Sequence, residues 1–306
     1  MAKKYLYFCF MEKVFTKDDL VKDLIKVGIQ QGDLLHLKVS MRSIGKVKGG
    51  ANTLLDALLE VVGPEGTLIS DAFITVFPLP LTDEQKRKIA YDHTPSYAGV
   101  FANAMLKHPD MVRSKHPIQK FAAIGKFAKE LCEAHTPESG GYEILEKMCE
   151  LDAVNLTIGK QVAGVGTTHV AIDLLGLKRT LQNIGTMYRN VNGEVKLAKV
   201  NWNGGCAHGF PKFIPLYHEH GAVIGYDKIG EANGLYTSMK KTLEIEMSVL
   251  KENPQFFLCD DKACYSCQMT WDHSPKKKLS FYFSWLKKNF NSLSLSRLKK
   301  LKKANS

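Results

Sequence analysis

The chain has 306 residues, 44% hydrophobic and 24% charged, enough to bury one large core or two small ones. Its formal net charge of +11 is uneven: ten of the 42 Lys and Arg lie in 274–306, where no Asp or Glu occurs, so the body before them is near +1. A near-neutral body excludes a broad nucleic-acid surface. The seven cysteines, an odd number behind no secretory signal, point to a reduced, cytoplasmic protein.

Thr16 followed by Asp19 reads as a capping box opening a helix through Val27, with Leu20, Leu24 and Val27 on one face. "DLLHLKVS" reads as a buried strand. After it, "SMRSIGKVKGGANTLLDALLEVV" places glycines and the lysines Lys46 and Lys48 before an apolar helix over 53–62, capped by Asn52 or Thr53. Such a loop and helix N-terminus suit a phosphate-bearing ligand. An ordinary strand–loop–helix connection fits the same residues, and the nucleoside-triphosphate loop is excluded because no Gly-Lys-Ser/Thr follows at its spacing. A turn at Gly63-Pro64-Glu65-Gly66 leads to a strand in "TLISDAF" and a proline-rich loop, "FPLPLTDEQ". Helices over 100–107 and 124–134 and a strand in "AVNLTIG" follow. This alternation predicts an α/β sheet covered on both faces. Beyond Lys178 the pattern is less regular, with a β-hairpin in "NVNGEVKLAKVNWNGG" and helical segments over 211–219 and 235–252. One α/β domain over 1–273 and a basic tail over 274–306 account for the chain.

"LCDDKACYSC" sets Cys259, Cys264 and Cys267 at Cys-x4-Cys-x2-Cys spacing. A fourth ligand would complete a tetrahedral structural zinc site, with Cys206 of "GGCAHGF" the first candidate and His208 the second. Free, partly buried thiols are the alternative. His218 and His220 of "YHEHG" are two apart and do not share a helical face, so they carry no metal site. In the tail, Leu279, Phe283, Leu286, Phe290 and Leu293 recur at spacings of four and three among lysines, with Trp285 beside them. That is an amphipathic basic helix, suited equally to the inner, anionic face of a membrane and to packing on the body or on a second subunit of a homo-oligomer.

Four blocks in order, "VSMRSIGKVKGGANTLLDALLEVVGPEGTL", "TPSYAGVFANAMLKHPDMVRSKHP", "FAAIGKFAKELCEAH" and "GVGTTHVAIDLLG", resemble the aminoglycoside 3-N-acetyltransferase family over most of the chain. The resemblance implies a three-layer α/β/α fold with a central mixed sheet, acetyl-CoA as donor, and direct transfer to a small-molecule amine. It implies that Lys38, Ser40, Met41, Arg42, Ser43, Gly45, Val47, Gly49, Gly50 and Phe73 line coenzyme A. Arg113 and Ser114 join that set, with His116 beside them as a second catalytic candidate. Lys46, Lys48 and Arg113 could supply charge for a pyrophosphate. His169 falls where the family has its catalytic histidine, and an imidazole suits proton removal from an attacking amine.

Three departures stand out. Lys38-Val39-Ser40 replaces the family's His-Ser-Ser, with His36 two residues early and on the same strand face as Lys38. Asp71-Ala72-Phe73-Ile74 replaces a Pro-Thr-Phe-Thr-like segment. Ile172 stands where a glutamate is usual, and Asp173, the nearest acid and a catalytic candidate, is rotated from that place by about 100° on a helix. Aminoglycosides are polycations, whereas the body is near neutral. The expected acceptor therefore has fewer amines: an amino sugar on a nucleotide or lipid carrier, as in surface-polysaccharide assembly. An aminoglycoside acceptor conferring antibiotic resistance, and an inactive binding homologue, are the alternatives.

Overall fold

The computed structural model describes residues 13–159, 164–180 and 183–289. The first helix among the described residues is α1 (Lys17–Val27), whose Thr16–Asp19 capping box is formed and whose Leu20, Leu24 and Val27 are buried. Next come β1 (Leu34–Val39), α2 (Ala51–Val62), β2 (Thr67–Asp71) and α3 (Val100–Met105). A short strand β3 (Val112–Arg113) turns back into β4 (Phe121–Gly125), followed by α4 (Ala128–Ala134), α5 (Glu143–Glu150) and β5 (Val154–Ile158). After α6 (Thr167–Leu174) a hairpin forms from β6 (Ile184–Arg189) and β7 (Val195–Lys199). The remaining elements are α7 (Ile214–Glu219), β8 (Val223–Ile229), β9 (Ala232–Ser238), α8 (Met239–Glu252) and α9 (Lys278–Asn289).

Seven strands make the central sheet, in the order β8-β9-β5-β1-β2-β4-β3. β1 runs parallel to both β2 and β5, and the outer neighbours are antiparallel, so the sheet is mixed. Side chains alternate across it. Leu35, Leu37, Leu68, Leu156 and Ile158 face a core shared with α1, α2 and α3. Leu34, Ile69, Phe121 and Ala123 face a second core with α4, α5 and the start of α8. Each helical layer closes one sheet face, giving the three layers that the resemblance implies.

Local expectations fail where sheet pairing overrides helical pattern. The span 124–134 divides into the end of β4 and α4, because Phe121–Gly125 pairs with β2 along its whole length. The span 235–252 divides into β9 and α8, since Gly234–Ser238 pairs with β5 and Ser238 then caps the helix through Lys241 N–H. Helix α2 is capped neither by Asn52 nor by Thr53. Its N-cap is Gly50 at φ 67°, and Thr53 Oγ1 donates backwards to Lys48 O at 2.6 Å. A side chain at Gly49, at φ 83°, would place Cβ 2.3 Å from that hydroxyl, so the turn requires glycine.

The tail helix α9 docks through Phe281, which meets Tyr265, and through Lys288, which donates to Asp261 at 2.6 Å. Leu279, Phe283 and Leu286 of the predicted stripe stand exposed, while Phe290 and Leu293 lie outside the described residues. Among the described residues no helix is long and apolar enough to cross a membrane.

Candidate active site

The period-2 alternation that buries Leu35 and Leu37 sends His36 and Lys38 to the opposite face of β1. There they meet Asp71 at the end of β2. His36 Nε2 lies 3.1 Å from Asp71 Oδ1, and Lys38 Nζ donates to Asp71 Oδ2 at 3.3 Å. On the other side, His36 Nδ1 lies 3.0 Å from Asn155 Oδ1 of β5, and Asn155 Nδ2 donates to Thr157 Oγ1 at 3.0 Å. Burial weakens Asp71 as an acid, but the Lys38 charge and the bonds from His36 and Lys38 outweigh it. Its carboxyl is held well below the usual range. Sequence reasoning did not assign Asp71 a role. The available signal was that both departures, at Lys38 and at Asp71, occupy facing ends of strands that pair.

His169 sits in the first turn of α6, after Gly166 at φ 101°. Its ring stacks on Tyr142 at 4.1 Å between centroids and meets Phe210 edge-on at 5.0 Å. Among the described residues, Nδ1 is buried without a hydrogen-bond partner. Burial, assisted by the Lys38 charge and partly offset by Asp71, pushes the imidazole down to about 3, so it is neutral at working pH. The ring faces a cleft of about 200 Å³, lined also by Phe73, Tyr97, Gln119, Tyr142, Arg179 and Trp202.

Asp173 lies one turn beyond His169 on an exposed stretch of α6, where desolvation and Glu146 raise its carboxyl to about 6. It leaves His169 Nδ1 unpartnered, so it does not stand in for the glutamate that Ile172 replaces. Ile172 is fully buried in apolar surroundings. A different acid underlies the helix. Glu246 of α8, fully buried, accepts from Thr168 Oγ1 and Tyr217 OH, and burial raises it to about 7 despite bonds from Thr167, Thr168 and Tyr217. It supports the turn that carries His169 and does not touch the ring nitrogens. An acid 77 residues away in sequence has no local signature, and this one was missed.

A second cleft, of about 220 Å³, opens at the carboxyl ends of β1, β2 and β5, where ligands commonly bind in α/β sheets. Lys38, Ser40, Ser70, Asp71 and Phe101 line it. Ser40 Oγ lies 2.9 Å from Ser43 Oγ. Met41, Arg42 and Ser43 belong to the one-turn helix Met41–Ile44, and Gly45, Val47, Gly49 and Gly50 carry the loop from there into α2. Phe73 lies apart from this loop, in the His169 cleft, against Tyr97, Phe121 and Tyr142.

Three predicted residues are engaged elsewhere. Arg113 is 7% exposed and donates to Asp92 O at 2.7 Å, Thr94 O at 2.5 Å and Ala72 O at 2.5 Å. Its guanidinium clamps a loop through these three carbonyls. Ser114 is fully buried, its Oγ accepting from Phe121 N–H at 2.9 Å. His116 stacks on His135 at 4.9 Å, and its Nδ1 accepts from Ile118 and Gln119 N–H at 3.2 and 2.9 Å. It stands behind Trp202, outside the residues that line the cleft.

These histidines make the fold acid-sensitive. Burial is the first cause in each case, lowering His116 to about 3, His135 to about 4 and His169 to about 3. Unfolding exposes them to ordinary values near 6.5, so the unfolded chain binds more protons between about pH 4 and 6.5. The histidine contribution is therefore full above that window and falls as pH drops through it, by up to roughly 1.4 kcal/mol per pH unit for each, with the raised Asp173 and Glu246 carboxyls opposing it in part. Melting temperatures from pH 7.5 to 4.5 test this; a flat profile contradicts it.

Cys206, Cys259, Cys264 and Cys267 converge, with all four Sγ atoms within 4.8 Å of one another. Cys132 and Cys149 lie buried in the core of the second layer.

The family described as Aminoglycoside 3-N-acetyltransferase matches residues 35–251. An aminoglycoside N(3)-acetyltransferase III from Salmonella sp is 29% identical over 170 residues, covering 51% of this chain and 59% of that protein. The chain thus spans somewhat over half the length of this curated relative. The binary complex of AAC-IIIb with CoASH superposes with a TM-score of 0.67 at 19% identity, over 78% of this chain and 97% of the other. AAC-VIa bound to sisomicin also gives 0.67, at 21% identity, over 78% of this chain and 98% of the other. The fold is that of these proteins, and the family match spans most of the chain, both clefts and His169. The chain belongs to the aminoglycoside 3-N-acetyltransferase family.

Proposed function

We propose that the protein transfers the acetyl group of acetyl-CoA directly to an amine on an amino sugar or aminocyclitol ring. The observation that carries this reading is His169, a neutral imidazole whose Nδ1 has no hydrogen-bond partner among the described residues, facing an aromatic cleft within electrostatic reach of Lys38 and Asp71. Those two residues line the other cleft, so the imidazole stands where the two ligands would meet. The amine lone pair attacks the thioester carbonyl, and the imidazole lone pair takes the proton that nitrogen sheds. Lys38 supplies positive charge beside the carbonyl oxygen as it becomes an oxyanion. Collapse restores the carbonyl and expels the coenzyme A thiolate, which receives a proton. The CoASH complex of a structural relative supports the donor, with the 40–50 loop as its cradle.

For the acceptor, the names of the relatives and the sisomicin complex support an aminoglycoside. The cleft supports an acceptor with fewer amines: its described lining residues include Arg179 and no carboxylate, whereas a polycation is held by acidic groups. The test is calorimetric titration with acetyl-CoA, then acetyl-transfer assays on sisomicin and on a nucleotide-linked amino sugar. Micromolar binding and transfer to either amine support the reading, and the preferred amine decides the acceptor class. No binding by folded protein at millimolar acetyl-CoA overturns it.

A further inference from the structure

The four converging thiols take no part in either cleft. Cys206 comes from the chain after β7, Cys259 from the segment after α8, and Cys264 and Cys267 from the turn before α9. In a zinc tetrathiolate, Zn–S bonds of about 2.3 Å set the sulfurs roughly 3.8 Å apart. Sulfurs already within 4.8 Å of one another reach that spacing with small side-chain rotations.

Two further features suit a bound cation there. Backbone N–H groups are aimed at the sulfurs: Cys259 N–H donates to Cys267 Sγ at 3.4 Å, His208 N–H to Cys206 Sγ and Cys267 N–H to Cys264 Sγ. Such donors stabilise and orient metal-bound thiolate. Cations also surround the cluster. The Arg179 guanidinium acts on Cys264 and Cys267, and Lys288 acts on Cys259 and Cys264. Together they offset the net double negative charge of four thiolates on one divalent ion. Phe257 and Trp271 belong to the same buried cluster as Cys259 and Cys267.

We propose that Cys206, Cys259, Cys264 and Cys267 bind one zinc ion. Four protein ligands leave no open coordination position, so the ion is structural and takes no part in transfer. Its effect is mechanical. Gly204 and Gly205, adjoining Cys206, form a wall of the His169 cleft, and Arg179 lines the same cleft while donating to Gly204 O. Zinc thus fastens that wall to the segment that leads into α9. This consequence rests on the reading of the cleft as the acceptor site; the metal site itself does not.

The full chain is purified in reductant, and its metals are measured by mass spectrometry. One zinc per chain, retained through gel filtration, is expected. Cobalt exchanged for zinc is expected to give sulfur-to-cobalt charge-transfer bands and the intense visible bands of a tetrahedral site. Cys264→Ser, at the partly exposed rim, is expected to shift those bands and weaken retention, while Cys132→Ser leaves both unchanged. Zinc binding to stripped protein releases protons as thiols become thiolates, which calorimetry in two buffers reads directly. Absence of stoichiometric zinc after reconstitution, iron in its place, or an octahedral cobalt spectrum overturns the proposal. None of these readouts depends on acetyl transfer, so failure of the proposed activity leaves them unaffected.

Discussion

His169→Ala lowers kcat by about 10²–10⁴-fold while leaving the dissociation constant of acetyl-CoA within a small factor of wild type. The separation follows from position. The ring lines the aromatic cleft, whereas Ser40, which opens the loop proposed for the donor, lines the other with Lys38 and Asp71. A ring with a purely structural role would fail differently. It is stacked on Tyr142 and packed against Phe210, so losing only that packing would lower the melting temperature and leave kcat nearly intact. His169→Gln, which keeps more of the volume but cannot serve as base, separates the two cases. Kinetics and calorimetry on both variants are the check. A kcat within threefold of wild type in either folded variant removes His169 from the chemistry.

The second large effect belongs to the ion pair. Asp71→Asn is expected to cost about 2–3 kcal/mol of stability, because it leaves the Lys38 ammonium facing His36 in a mostly buried place. Lys38→Met is expected to cost a similar amount by stranding the Asp71 carboxylate. The double variant should cost less than the sum, with a coupling of about 1–3 kcal/mol. Urea unfolding of the four proteins closes the cycle, and additive costs would mean that the 3.3 Å contact does nothing. The pair also reaches His169, since the Lys38 charge disfavours its protonation. Lys38→Met should therefore raise the His169 titration point, which NMR of the ring protons would follow. Asp71 contributes stability above the ordinary carboxylate range and loses it only in strong acid, because its folded value is depressed. The milder acid sensitivity near pH 5 therefore belongs to the histidines, and Asp71→Asn should leave it in place.

The comparison of residues with outcome is instructive at particular positions. The capping box at Thr16 and Asp19, the buried strand in "DLLHLKVS" and the glycine loop before α2 were all legible, because each is decided by residues within one turn or one strand. The boundary near Gly125 was not. Phe121–Gly125 becomes a strand only because β2 lies beside it, and no window of the chain contains that neighbour. Arg113 shows the same limit for function. Its place in a motif suggested a phosphate, but the number of carbonyls already satisfied by its guanidinium is a property of the folded loop. The cysteines were intermediate: the spacing of Cys259, Cys264 and Cys267 marked a cluster, while the arrival of Cys206 depended on how the chain after β7 packs.

The periodicities, the family and the place of His169 in its motif are legible in residue order alone. Those follow from local backbone preference, from apolar alternation and from motif order, all read along one dimension. Tertiary structure alone decided which departures belong together. Lys38 and Asp71 are 33 residues apart, yet parallel pairing of β1 and β2 brings their side chains to one face and one end of the sheet. It likewise set Glu246 under Thr168 and left His169 Nδ1 without an acid. Charge pairing and desolvation act through distances in space, and sequence separation does not set those distances.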